Sequence, residues 1–337
     1  MTSEKTQDAA SQTNAEPMII GGVDAAFIGV NDVAAHLALY VGQLGWEVDQ
    51  EGVLPAAEVT ALWGDAIGDV PYTVLTAADA AHGRLVLLRV SDQEPPQHPR
   101  QSDTGLIAIN MYTRDLDVTY RQLDETGGTG STGWGWATPP ATWEVPLNGK
   151  PVSVTQGYLE APEGTDIVFV QPETARGTAA WDVDPARHYT ELTSVVCHVP
   201  EFEAEATFWG GLGLSSWYDV SFTHPGLDAM ARLPSGSVMR LSFLAGPTTA
   251  RVEVTRLEDR TIGADRRSTQ RTGRHLGHTG WLVKVRALDE TLFHVTRFGG
   301  TVDSEAQRGS AGLFGGSRVA SVNTPNGLPI TFLEHTD

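Results

Sequence analysis

Residues 192–214, LTSVVCHVPEFEAEATFWGGLGL, decide the fold. An apolar strand runs to Val199, Pro200 and Glu201 open a helix, and Gly210-Gly211 close it before a further strand begins. The pattern occurs three more times. Residues 23–48 (VDAAFIGVNDVAAHLALYVGQLGWEV) alternate apolar residues through Val30, place Asp32 as a helix cap and carry Ala35, Leu39 and Leu44 on one helical stripe. Residues 105–128 (GLIAINMYTRDLDVTYRQLDETGG) put Asp115 at the cap and end the helix at Gly127-Gly128. Residues 278–302 (HTGWLVKVRALDETLFHVTRFGGTV) end theirs at Gly299-Gly300. Each copy finishes on a turn and a last strand: HGRLVLLRV (82–90), APEGTDIVFV (161–170), LPSGSVMRLSFL (233–244) and TPNGLPITFLEH (324–335).

The period is about 75 to 90 residues, the mark of an internal repeat. A β-α-β-β-β unit cannot bury its sheet face alone, so the predicted fold class is α+β, four βαβββ modules paired into two curved sheets that each enclose a cup. Residues 1–18, polar and with little to bury, are expected to be a disordered tail. Pairing consecutive modules gives an N-terminal domain over 19–172, a polar, Pro-bearing linker over 173–188, and a C-terminal domain over 189–337 that holds the ligand cup.

Composition excludes several classes. Forty-two acidic against 23 basic residues leave a net charge of -19, a field that repels phosphate backbones and anionic lipids. No nucleic acid and no membrane partner is expected. No run reaches the ~20 apolar residues of a membrane span and no signal pattern opens the chain, so a cytoplasmic location is expected. The single cysteine, Cys197, rules out an intrachain disulfide and a Cys-rich metal site. The expected partner is a small molecule, and a homo-oligomer is compatible with the sequence.

The four-fold repeat resembles the vicinal oxygen chelate superfamily, which includes glyoxalases, bleomycin-resistance proteins and extradiol dioxygenases. The resemblance covers residues 19–335, and the closing TPNGLPITFLE is similar to the last turn and strand of two-domain type I extradiol dioxygenases. In those relatives two histidines and a glutamate hold a metal, usually Fe(II). By that resemblance the three ligand positions fall on Ser194, Gly280 and Thr331, and two further family positions, a tyrosine and a histidine, on Ser321 and Gly312. None carries the required side chain. The resemblance therefore implies no metal, no other cofactor, and a lost ring cleavage. The corresponding positions Ala25, Leu87, Ala108 and Val168 are apolar, so the N-terminal cup reads as structural.

Strand alternation fills in the C-terminal cup. Ser194 brings Val196 and His198; Gly280 brings His278, Leu282 and Lys284; the last strands add Arg240, Ser242, Thr331 and His335. The candidate catalytic residues are His278 and His198, and the candidate substrate-binding residues are Arg240, Lys284, Ser194 and Thr331. Each has a plainer reading. His198 lies at a strand end beside Pro200, Lys284, one of three lysines in the chain, can pair with a carboxylate, and Arg240 can make a structural ion pair. The Trp-bearing segment GWGW (133–136) with Trp143 is a candidate aromatic lid or a packing hairpin, and the arginines of 264–275 read as solvated surface.

Three functions remain open. The first is a metal-independent isomerase, lyase or cyclase acting on an oxygenated, aromatic small molecule, with His278 or His198 moving a proton and Arg240 and Lys284 stabilising an oxyanion. A second is a non-catalytic module that sequesters a ligand, as bleomycin-resistance proteins do. The third is a dioxygenase with displaced ligands His198, His278 and Glu334.

Overall fold

A computed structural model describes residues 16–64, 68–90, 97–127, 133–147, 150–173, 177–248, 250–258 and 263–336. Most of the expected tail, residues 1–15, lies outside the described residues, as do Gly128 and 174–176 of the expected linker.

The first module comprises β1 (Ile19–Val30), α1 (Val33–Leu37), β2 (Glu47–Leu54), α2 (Ala56–Trp63), β3 (Val70–Thr76) and β4 (Arg84–Arg89). The second comprises β5 (Gly105–Thr113), α3 (Leu116–Thr126), β6 (Gly135–Trp136), β7 (Ala141–Leu147), β8 (Lys150–Glu160) and β9 (Asp166–Pro172). A short α4 (Ala179–Val183) leads into the third module: β10 (Tyr189–His198), α5 (Phe202–Gly211), β11 (Ser215–Phe222), α6 (Pro225–Met230), β12 (Met239–Ala245) and β13 (Arg251–Leu257). The fourth comprises β14 (Gly277–Val285), α7 (Leu288–Arg297), β15 (Thr301–Val302), β16 (Gln307–Arg308), β17 (Arg318–Asn323) and β18 (Pro329–Glu334). Asp32 and Asp115 cap α1 and α3 as the sequence predicts, accepting from the amides of Ala35 and Val118. The third module does not end with LPSGSVMRLSFL. That segment is its penultimate strand, and RVEVTRL is the last.

The four modules form two nine-stranded sheets, confirming the α+β architecture of paired βαβββ units. Their partners differ from the expected ones. β1 pairs antiparallel with β14, Ala26 opposite Trp281, so the first module joins the fourth. β5 pairs antiparallel with β10, Ser194 opposite Asn110, so the second joins the third. The first and second modules therefore do not share a sheet, nor do the third and fourth, and the 19–172 and 189–337 division does not describe the pairing. All four opening strands are apolar and almost wholly buried, so periodicity within a module carries no information about its partner. The connections between modules help fix it. Asp103 pairs with Arg266 (2.5 Å) and accepts from Ala264 N (2.9 Å), and the Gln270 side chain bonds Leu106 N and O at 2.8 and 2.6 Å. Arg266 is thus a clasp between chain segments and not solvated surface.

Alternate residues of each sheet face one shared core: Ala26, Ile28, Trp281 and Val283 from one sheet, Ile109, Met111, Val195 and Cys197 from the other. Helix residues Leu116, Phe208, Trp209 and Val295 join the same core, where the Trp209 and Trp281 rings lie 5.8 Å apart. The opposite faces are the cups. Among the described residues no helix is long and apolar enough to cross a membrane.

Candidate functional site

The two cups differ in filling. The cup of modules one and four is plugged by its own chain. Trp63 at the end of α2 packs edge-on against Phe27 (5.5 Å) and donates its indole N–H to Thr331 Oγ1 (3.0 Å). Val59, Leu62, Leu313 and Phe314 close the rest. Gly312 approaches the Tyr72 hydroxyl so closely that any Cβ would overlap it. At one end of this sheet the buried Asp24 pairs with Lys284 Nζ (2.8 Å) and Arg84 Nη2 (2.5 Å), with His82 at 3.7 Å. Lys284 is therefore the counter-ion of a buried carboxylate, and Thr331 anchors the plug.

The cup of modules two and three is open, a cavity of about 110 Å³. Its walls are apolar, with Tyr112, Trp143, Tyr158, Trp217, Tyr218 and Phe243 set among aliphatic residues such as Val168, Val196 and Leu241. Helix α6 lends Leu227 and Met230, and Trp217 is 43% exposed at the rim. Trp143 is thus part of the wall. Trp134 and Trp136 instead pack on their own module, donating to Leu123 O (3.2 Å) and Tyr120 O (3.1 Å) of α3.

The floor of this cavity is polar. Asn110 on β5 donates from Nδ2 to Ser194 Oγ and to Glu253 Oε2, both at 2.7 Å. Ser194 Oγ also donates to Glu253 Oε2 at 3.4 Å. Glu253 sits on β13 level with Val196, in a strand whose neighbouring residues Val252 and Val254 face the core. It is half-buried, its accessible surface turned to the cavity it lines. Burial among apolar walls pushes its carboxyl up to about 7, against the opposing effect of the Asn110 and Ser194 hydrogen bonds. A second titratable group lies past one wall. Burial raises Asp166 to about 6 although it pairs with His98 Nδ1 at 2.5 Å, and the buried Tyr158 hydroxyl is held well above its usual range by burial and by Asp166.

Of the six sequence candidates, Ser194 alone lines this cavity. Arg240 and Ser242 face the other way, because the wall residues of β12 are Met239, Leu241 and Phe243. Arg240 instead pairs with Glu203 and with Asp219 (3.3 Å) and stacks on Phe202 at 4.2 Å. His198 is buried at the strand end, its Nδ1 3.2 Å from Thr255 Oγ1, and desolvation lowers it to about 4. His278 belongs to the other sheet, where its Nε2 accepts the indole N–H of Trp281 at 2.8 Å; desolvation lowers it to about 3. Both imidazoles are neutral near pH 7, and the nested pairing keeps His198 and His278 from sharing a cup. Glu334 accepts the Leu288 amide at 2.9 Å, so it does not join them.

Sequence reasoning missed Glu253 and Asn110. The signal for Glu253 was present: one acid inside the alternating run RVEVTRL, in the strand overlooked as the end of the third module.

Of the three positions that the resemblance assigned to metal ligands, Ser194 lies on this floor, whereas Gly280 and Thr331 lie on the other sheet. Across the floor the side chains are an amide, a hydroxyl and one carboxylate, already bonded to one another. Among the described residues no group of three or more His, Cys, Asp or Glu side chains is arranged to hold a metal ion.

No protein-family model matches the sequence. A comparison with curated proteins finds no match. Solved structures do match over nearly the whole chain. Glyoxalase I from Zea mays superposes with a TM-score of 0.59 at 11% identity, covering 94% of this chain and 92% of its own. A protein from Bacillus subtilis strain 168 described as a candidate dioxygenase gives 0.58 at 8% identity, covering 96% of this chain and 87% of its own. At such identities the likeness is one of fold alone, the paired βαβββ architecture described above.

Proposed function

We propose that the chain binds a flat, aromatic small molecule in the cup of the second and third modules, and that capture of this ligand is its activity. The observation that carries the reading is the asymmetry of the cups: one is plugged by Trp63 and Phe314, and the other presents aromatic walls over a three-residue polar floor. Flat rings sandwiched between aromatic side chains gain both burial and stacking, while a few fixed polar groups set orientation. Capture requires no metal and no histidine, in keeping with the positions of His198 and His278 outside this cavity.

One feature favours a second reading, proton-transfer catalysis on the same ligand. A cavity carboxyl that titrates near neutrality can take and return a proton at working pH, and Glu253 is such a group. It replaces the histidines as the candidate acid–base residue, with Asn110 and Ser194 orienting it.

A thermal-shift screen of aromatic compounds separates the two, since a compound that binds the native state raises the midpoint. Stabilising compounds are then recovered after incubation in deuterated water and weighed by mass spectrometry. Unchanged mass supports capture, and deuterium or rearranged product that Glu253→Gln abolishes supports catalysis. A screen in which Trp217→Ala and Trp143→Ala leave every hit unaffected removes the cavity from both.

A further inference from the structure

We infer that the ligand is a cation, an aromatic molecule carrying a protonated amine that rests on Glu253 while its rings lie between the aromatic walls. The inference rests on the reading of this cup as a binding site and names the class of molecule it takes.

Charge is the first argument. Among the described residues lining the cavity there is no lysine, arginine or histidine, and Glu253 is the one carboxyl. A carboxylate or phosphate reaching the floor loses its hydration, finds no cation there, and meets a carboxyl of its own sign. An ammonium group meets the reverse situation. Both hydrogen bonds to Glu253 fall on Oε2, and among the described residues none reaches Oε1 and no cationic side chain pairs with this carboxylate. A ligand ammonium supplies the missing partner.

The walls point the same way. Faces of tryptophan, tyrosine and phenylalanine rings are negative, and cations settle over them. Trp217 at the rim already accepts the Arg251 guanidinium, 4.8 Å from its ring centroid. Arg251 precedes Glu253 by two residues on β13 but turns to the Tyr112 hydroxyl (3.1 Å) and to that ring, leaving Glu253 without it. Beyond Tyr158, Asp166 is paired with His98, and at the end of β10 His198 is uncharged near neutrality, so neither supplies a cation to the floor. The net charge of -19 draws cations toward the molecule as a whole.

A cation on Glu253 stabilises the ionised carboxylate, so binding should expel a proton wherever the free carboxyl is still protonated. The test uses an isosteric pair, 2-naphthylmethylamine and 2-naphthylmethanol, titrated calorimetrically into the full chain and into Glu253→Gln. The amine is expected to bind about tenfold more tightly than the alcohol at about pH 8, and the preference to shrink toward about pH 6. Titration in two buffers of different ionisation enthalpy should show proton release in the wild type alone, and Glu253→Gln should bind the two probes alike. Equal or tighter binding of the alcohol overturns the cation inference and leaves ligand binding standing. Failure of both probes to bind removes the binding reading and this inference with it. The wild-type pH series decides the matter even if the variant is poorly folded.

Discussion

Asn110 and Glu253 come from different modules, on strands separated by β10, yet the Asn110 amide reaches the Glu253 carboxylate at 2.7 Å. Ser194, on the strand between them, is held by the same amide. Two modules must therefore be paired in register before the polar floor exists, and each residue's chemistry depends on the other's strand.

Removing the amide should make Glu253 harder to ionise, because Asn110 is one of two groups opposing the effect of burial. Asn110→Leu is expected to raise the titration midpoint of Glu253 by about one pH unit, as read by carbon-13 NMR of the carboxyl. A midpoint that falls instead means that the amide does not hold the charged form.

Glu253 should cost stability in base. Its folded value near 7 lies above the ordinary 4.5, so between those values the folded state binds more protons than the unfolded one. Stability is then full below about pH 4.5 and declines as pH rises through about 7. Glu253→Gln removes this loss, and its gain over wild type in denaturant melts should grow from near zero at about pH 4 to at most on the order of 3 kcal/mol at about pH 8. A gain independent of pH contradicts the assignment.

The buried histidines act with the opposite sign. Desolvation lowers His278 to about 3 and His198 to about 4, while the unfolded chain takes up protons near 6.5. Their contribution is whole above that value and is lost as pH falls toward the folded ones. His278→Asn, which keeps an acceptor for the Trp281 indole, should flatten the melting temperature between about pH 6 and about pH 4 and leave probe binding untouched. Loss of binding in this variant would return His278 to the site.

The plug of the other cup is expected to be structural. Phe314 is almost fully buried against the residues that surround Trp63, and Phe314→Ala should destabilise the fold by about 3–5 kcal/mol in a chemical melt. Binding of naphthyl probes to the open cup should persist under conditions where the variant stays folded. A cost below about 1 kcal/mol means the plug is not packed as described.

Much of this was legible in the sequence. The caps at Asp32 and Asp115, the glycines at the ends of α3 and α5 and the alternation of the opening strands carry the modules, because each is a local rule with a local cause. Ser194 does line a cavity, but the one formed by modules two and three and not the C-terminal cup expected from the sequence. Arg240 was placed on the wrong face, since a shift of one residue along β12 exchanges its two faces. Glu253 was passed over because the glycine turn before β12 looked like the final one. Pairing of the modules was beyond reach, for it depends on long-range contacts such as Asp103 with Arg266 and Gln270 with Leu106, which leave no periodic trace.

Pairing the first strand with the fourteenth sets an order of assembly on the ribosome. The inner sheet can zip up once Leu257 has emerged, whereas Ile19 must wait for Val285 before its own edge is covered. During that interval the newly made leading segment carries an open, greasy strand edge, which is where holdase chaperones should be found in ribosome profiling of nascent-chain complexes. A circular permutant that joins the outer halves early should shorten that exposure.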